Sequence, residues 1–108
     1  MGNSQVSYIG KLSNQDTSST SLKFYRWNRF IYVTLSANVT TTQVTIGGST
    51  VNKVCDIPSG FYPIGDAEVR DTLNNKRIVF DHTNHIVHSV EALSNVNIRG
   101  SICYMSEN

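Results

Sequence analysis

The stretch from Phe30 to Val39 alternates without a break between two kinds of side chain. Every second position is aliphatic, and these positions share one side of an extended chain: Ile31, Val33, Leu35, Ala37 and Val39. Tyr32, Thr34, Ser36 and Asn38 fall on the other side. A period of two residues is that of a β-strand with one face in a core and the other in water. This stretch therefore requires a sheet with a covered face.

The rest of the chain repeats this behaviour in shorter pieces, and no segment of about ten residues has helical periodicity. Further strands are expected at 6–12, 22–25, 50–57, 64–70, 77–81, 85–93 and 98–105. Short strands joined by turns predict an all-β fold, a small Greek-key β-sandwich or barrel of about 7–8 antiparallel strands. A chain of 108 residues predicts one domain, 1–108, with residues 1–5 an expression start or a flexible lead-in.

Two hairpins are expected. Asn28 tolerates the left-handed conformation of a tight turn, which favours a hairpin ending at Val39. Residues 40–50 are expected to form a loop or a weak edge strand that ends at Gly47-Gly48. In the second hairpin, a three-residue connection Thr83-Asn84-His85 segregates the side chains best. It places one set on a common face: Ile78, Phe80, Ile86, His88 and Val90. In the last strand, Ile98, Gly100, Ile102 and Tyr104 oppose Arg99, Ser101, Cys103 and Met105.

A corner is expected in the middle of the chain, at Ile57-Pro58-Ser59-Gly60-Phe61-Tyr62-Pro63. Pro58 and Pro63, the two prolines of the chain, lack a backbone donor and cannot lie inside a central strand. Gly60 is free to take a positive φ in the turn between them. We expect a strand end, a tight turn and an aromatic plug.

The composition excludes several classes of partner. A net charge of +1 provides no field that would attract nucleic acid or anionic lipid. No apolar run approaches the roughly 20 residues that span a bilayer. Without a secretion signal, Cys55 and Cys103 are expected to be free, buried thiols.

Catalysis has no support in the sequence, which lacks a G-x-S-x-G motif and a phosphate-binding glycine loop. We therefore expect a protein that is not an enzyme and that needs no cofactor. The three histidines, His82, His85 and His88, fall within eight residues that begin at Asp81. His85 and His88 point to opposite faces of a strand, so a strand rim or a subunit interface is favoured over a metal site. An alternative is a trimer in which histidines from three copies meet on the axis and bind an ion.

Saccharide recognition needs an aromatic face and polar groups that orient hydroxyls. Trp27 lies in the first hairpin turn beside Arg29, where its cover is its own core, a neighbouring subunit or a stacked ligand. Asp81, His82 and His88 supply polar groups in the second hairpin.

The I-P-x-G-[FY]-x-P corner, the hairpin before it and the final R-G-S-I-x-Y strand resemble C-terminal head domains of bacteriophage receptor-binding proteins. The likeness covers residues 6–105 and is to the baseplate or tail-fibre proteins of siphophages that infect lactic acid bacteria. It implies a homotrimer that binds host cell-wall polysaccharide, with other baseplate proteins joined through the N-terminal side. It also implies a place on the virion, at the tail tip or baseplate, after assembly in the bacterial cytoplasm.

For the site, the resemblance adds Arg99 in the last strand to the saccharide-binding set of Trp27, Arg29, Asp81, His82 and His88. The tryptophan that such heads place in the second hairpin has no counterpart here. Two alternatives stay open, a structural baseplate module that binds protein and no sugar, and a bacterial lectin-like carbohydrate-binding module.

Overall fold

In a computed structural model that describes residues 4–9 and 21–108, the chain forms nine β-strands and, within those residues, no helix. The strands are β1 (Ser4–Ile9), β2 (Ser21–Trp27), β3 (Phe30–Val39), β4 (Thr42–Ile46), β5 (Ser49–Asp56), β6 (Ala67–Arg70), β7 (Arg77–Phe80), β8 (Ile86–Ser89) and β9 (Val96–Met105). The first sheet has the order β1-β2-β3-β9 and the second β4-β5-β8-β7-β6. Every pairing is antiparallel. The expected all-β sandwich is confirmed.

The two sheets face each other across a core that the alternation in β3 predicted. All five aliphatic residues of β3 are buried, and their neighbours in sequence point outward. Phe24 of β2 is fully buried, and its ring contacts Phe61 at 5.9 Å and Phe80 at 6.1 Å, both edge to face. Each such pair contributes about 0.5–1.5 kcal/mol beyond the buried area. Phe24 thus joins the first sheet to the corner and to the second sheet.

The first hairpin turns at Asn28, as expected, but the expected turn, Arg26-Trp27-Asn28-Arg29, is too long by two residues, because Arg26 and Trp27 belong to β2. Trp27 pairs with Phe30, which leaves Asn28 and Arg29 as a two-residue turn. Asn28 has a φ of 55°, in the left-handed region that asparagine tolerates.

The Greek key lies in the second sheet. After β5, a long connection, residues 57–66, leads to β6 at the other edge of the sheet, and β6, β7 and β8 then form a meander that ends beside β5. That connection contains the expected corner. Gly60 takes a φ of 92°, the Phe61 N–H donates to the Pro58 carbonyl at 3.1 Å, and the Phe61 ring enters the core. Pro63 is buried and forms an isolated bridge with Ser106.

The register expected for the second hairpin is wrong by one residue. Phe80 pairs with Val87 and Ile78 with Ser89, so these four share the buried face. His88 pairs with Val79 and is therefore on the outer face, away from Ile78 and Phe80. The connection is longer than three residues because Asp81 still pairs with Ile86, its N–H donating to the Ile86 carbonyl at 2.9 Å.

The loops 71–76 and 81–86, here called the twin loops, have the same construction. Each begins with an aspartate whose N–H donates, at 2.9 Å, to the carbonyl five positions later. Each places a left-handed residue at the fifth position, Asn75 with a φ of 56° and His85 with a φ of 59°. The meander therefore uses one loop design twice.

Some expectations concern the chain ends and the thiols. Residues 4 and 5, expected in the lead-in, belong to β1, and residues 1–3 lie outside the described residues. The end of the first expected strand, residues 10–12, also falls outside them. Cys55 and Cys103 are both free, as expected, but only Cys55 is buried. Cys103 lies on the outward face of β9, so the expectation of burial is wrong for it.

Candidate functional site

The expected saccharide-binding residues fall in three places. Trp27 and Arg29 lie at the β2–β3 turn, the aspartate and the two histidines on the β7–β8 hairpin, and Arg99 in β9. Arg99 pairs with Ser36, whereas the turn end of β3 pairs with Met105. Six residues of extended chain separate these two levels, about 20 Å at the rise of a β-strand. The structure does not bring the set into one cleft.

The outer face of the first sheet carries an aromatic patch, consisting of Tyr25, Trp27, Phe30, Tyr32 and Met105. Trp27, Phe30 and Met105 follow one another across three strands, and their exposed fractions are 51%, 55% and 39%. Tyr25 and Tyr32 form the next row, with ring centroids 6.1 Å apart. Large apolar side chains that stay exposed together mark a surface that something else covers.

The exposure of Trp27 excludes one of the three covers that were expected for its side chain. At 51% exposed, its side chain is not covered by the core of its own chain. A neighbouring subunit and a ligand remain as possible covers.

The polar groups of this face lie away from the patch. Toward the far end of the sheet, the outward residues are Lys23, Thr34, Ser36, Asn38, Asn97, Arg99 and Ser101. Among the outward side chains described for β2, β3 and β9 there are two cations and no carboxylate. The outer face of the first sheet therefore changes along its strands, from aromatic side chains near the β2–β3 turn to hydroxyl, amide and cationic side chains at the far end.

Two arginines hold the β2–β3 turn in place. Arg26 donates from Nε to the Asn28 carbonyl at 2.7 Å and from Nη1 to the Gly60 carbonyl at 2.5 Å. Arg29 donates from Nη2 to the Ser106 carbonyl at 2.9 Å, and its own carbonyl accepts from the Ser106 N–H at 2.7 Å. Arg29 thus fixes the turn that presents Trp27, and one of its donors is already used.

Asp81 is saturated by its own loop and by His88 of β8. Its Oδ1 accepts the N–H groups of Thr83 at 2.8 Å and Asn84 at 3.0 Å. Its Oδ2 lies 3.1 Å from both Asn84 Nδ2 and His88 Nε2. Burial alone raises the pKa of Asp81, but the hydrogen bonds outweigh it and hold the pKa below its ordinary value. This carboxylate shapes the loop and has little capacity left for a ligand.

His82 is anchored to the corner connection. Its N–H donates to Asp66 Oδ1 at 2.8 Å, and its Nδ1 lies 3.2 Å from the Pro63 carbonyl. A carbonyl only accepts, so this contact places a proton on Nδ1. The Nε2 atom of His82 is the part of the ring left to meet a ligand.

The described residues do not form a metal site. Within residues 4–9 and 21–108, no group of three or more His, Cys, Asp or Glu side chains is arranged to hold an ion. In that same part of the chain, no helix has the length and apolar character needed to cross a bilayer.

Comparison with protein-family models, with curated proteins and with solved structures gives no significant match.

Two features lie outside the expected saccharide-binding set. Tyr25, Phe30 and Tyr32 were expected opposite the aliphatic row, on a face covered by an interface, and Met105 of β9 extends that face beside Phe30. The second is a stack of Tyr62 on His85 between the corner and the second twin loop. No local pattern predicts it, because the two residues meet only through the tertiary fold.

Proposed function

We propose that this chain is a non-catalytic adhesion domain, the receptor-binding head of a phage tail or baseplate, and that it binds host cell-wall saccharide. The aromatic patch is the observation that carries the proposal. Trp27 and Phe30 offer flat apolar faces against which a pyranose ring can stack. Arg29 lies beside them on a turn whose position is fixed by main-chain contacts.

The aromatic patch, not the β7–β8 hairpin, is the proposed place of stacking. The groups of that hairpin are largely engaged internally: Asp81 by its own loop and His82 by the corner. Arg99, at the far end of the same outer face, is a secondary contact for a long chain that extends beyond the patch. His88 lies on the outer face of the second sheet, where its Nε2 is 3.1 Å from Asp81 Oδ2, and is not part of the proposed surface. A homotrimer, implied by the family resemblance, would add avidity to weak single contacts.

Binding to purified cell walls of lactic acid bacteria and to a glycan array tests the proposal. Trp27→Ala and Phe30→Ala should each reduce binding at least ten-fold while the melting temperature changes little, because both side chains are exposed. Leu73→Ala is the matched control, since Leu73 is 58% exposed but lies in the first twin loop. Unchanged binding of both patch variants would contradict the proposal.

A second candidate is a baseplate module that binds protein through the same patch and no sugar. The absence of a carboxylate among the described outward side chains of β2, β3 and β9 favours it, because saccharide sites commonly orient hydroxyls with acidic groups. Under this alternative, Trp27→Ala and Phe30→Ala weaken the trimer in sedimentation experiments, and no glycan is retained by the wild type.

A further inference from the structure

Strand β4 is an outer strand of the second sheet, and within residues 4–9 and 21–108 it has none of the usual protection of a sheet edge. Among the described residues, only β5 pairs with it. Residues 30–52, which include all of β4, contain no Asp, Glu, Lys, Arg, His or Pro. Exposed edges are usually blocked by charge, proline, a bulge or short length, because an open edge recruits another strand.

The opposite edge of the same sheet shows the contrast. Strand β6 has only four residues, Ala67–Arg70, and two of them, Glu68 and Arg70, are charged and exposed. Strand β4 has five residues, Thr42–Ile46, and none is charged. Among the described strands, one edge is therefore protected and the other is open.

The turn after β4 determines which of its main-chain groups face outward. Gly47 and Gly48 have φ values of 56° and 84°, those of a type I′ turn between Ile46 and Ser49. Residues that flank a two-residue turn form a hydrogen-bonded pair, and the direction of the main-chain groups alternates along the strand. Gln43 and Thr45 therefore direct their N–H and C=O groups away from β5.

We propose that β4 pairs with β4 of a second copy of this chain, antiparallel, about a two-fold axis at Val44. In this register Gln43 lies opposite the partner's Thr45, and both residues exchange their N–H···O bonds. Val44 lies opposite the partner's Val44 in the closer, non-hydrogen-bonded position. The second sheets of the two copies then form one continuous sheet.

Strand β4 fits a second copy of itself because the antiparallel register places the outward N–H groups of Gln43 and Thr45 against main-chain carbonyls of the partner. The uncharged edge creates no repulsion, and cross-strand pairs of β-branched residues are favourable by about 0.2–1 kcal/mol each. A contact through one strand buries less than the roughly 1,000 Å² typical of a stable interface, so the association is weak and depends on concentration. The aromatic patch is on the other sheet, so this pairing is independent of the proposed saccharide binding.

Two double variants test the pairing by sedimentation velocity over a concentration series. The wild type should show a doubling of mass relative to its smallest assembly. Gln43→Lys with Thr45→Lys places lysines opposite each other across the axis and should weaken the doubling at least ten-fold. Gln43→Glu with Thr45→Lys places opposite charges there and should restore it.

A cross-linking experiment provides an independent measurement in a Cys103→Ser background. The pair at the axis has a Cα separation near 4.5 Å, within the range of a disulfide. Val44→Cys should therefore form a covalent dimer on mild oxidation, whereas Gln43→Cys, displaced from the axis, should not. A wild type that never doubles, lysine and glutamate variants that associate alike, or equal cross-linking at both positions would overturn the proposal. In the first case a foreign strand would remain the occupant of the edge.

Discussion

Tyr62 and His85 stack face to face, with ring centroids 3.6 Å apart and ring planes 5° apart. Tyr62 belongs to the corner, and His85 is the left-handed residue of the second twin loop. The Glu107 N–H donates to the Tyr62 carbonyl at 3.0 Å, and Glu107 Oε1 lies 4.0 Å from His85 Nε2. The stack thus connects the corner, the second hairpin and the segment after β9.

Replacement of His85 separates the ring contact from the backbone conformation. His85→Ala removes the stack and leaves a side chain at a φ of 59°, so we expect a loss of about 1–2 kcal/mol in the free energy of unfolding. His85→Gly removes the same stack but suits the left-handed conformation, and should cost about 1 kcal/mol less. Urea denaturation measures both. A glycine variant less stable than the alanine variant would contradict the role of the backbone.

The aspartates of the twin loops should differ in importance. Asp71 is only 3% exposed, and its carboxylate accepts the N–H groups of Leu73 at 3.0 Å, Asn74 at 2.8 Å and Lys76. Asp71→Ala leaves these donors without their acceptor and should cost about 2–3 kcal/mol. Asp81→Ala should cost less, because its loop is more exposed to water. Thermal and urea unfolding test the order, which equal losses would contradict.

Stability at acid pH should depend on Asp81. The pKa of Asp81 in the folded protein is below its ordinary value, so its ionised form stabilises the fold above the unfolded-state pKa of about 3.9. This contribution is lost as the pH falls through the lower, folded-state pKa. We expect Asp81→Asn to be less stable than wild type near pH 7 and to lose less stability on acidification to about pH 2.

Glu68→Gln is the control for that experiment. A hydrogen bond from Arg77 lowers the pKa of Glu68, but the pair is on the surface, where solvent screens it. The stability of the Glu68→Gln variant should therefore fall on acidification almost as the stability of the wild type does. An Asp81→Asn curve that is parallel to the wild-type curve would show that Asp81 is not the responsible group.

The two thiols should react differently with an alkylating reagent. Burial raises the pKa of Cys55, and the charge of Asp56 adds to this, so this thiol is both protonated and inaccessible. Cys103 is exposed next to the aromatic patch, since it pairs with Tyr32. Mass spectrometry should find Cys103 alkylated in the native protein and Cys55 only after unfolding. Slow reaction of Cys103 would indicate that a partner covers the patch.

Alternation along single strands was sufficient to predict much of the first sheet. The buried faces of β3 and β9 and the turn at Asn28 follow from the side-chain period and from the tolerance of asparagine for positive φ. The corner was predictable because Pro58, Gly60 and Pro63 restrict the backbone directly. These features depend on neighbouring residues only.

The register of the second hairpin was not predictable in the same way. Its left-handed position is held by His85, a residue that takes positive φ far less often than glycine. A comparison with the first twin loop would have helped, since Asp71 and Asn74 have the same spacing as Asp81 and Asn84. The separation of Arg99 from Trp27 depends on the pairing of β9 with β3, which no local pattern contains.

The pairing of β3 with β9 has a consequence for how the chain is made. Strand β3 pairs on one side with residues that are 57 to 75 positions further along, so the first sheet closes only after a distant encounter, and such topologies fold slowly. Until then, an uncharged stretch rich in β-branched residues lies open to neighbouring chains. The yield of native protein should therefore depend on the competition between closure of the first sheet and aggregation. Dilution or cooling during synthesis should favour closure of the sheet.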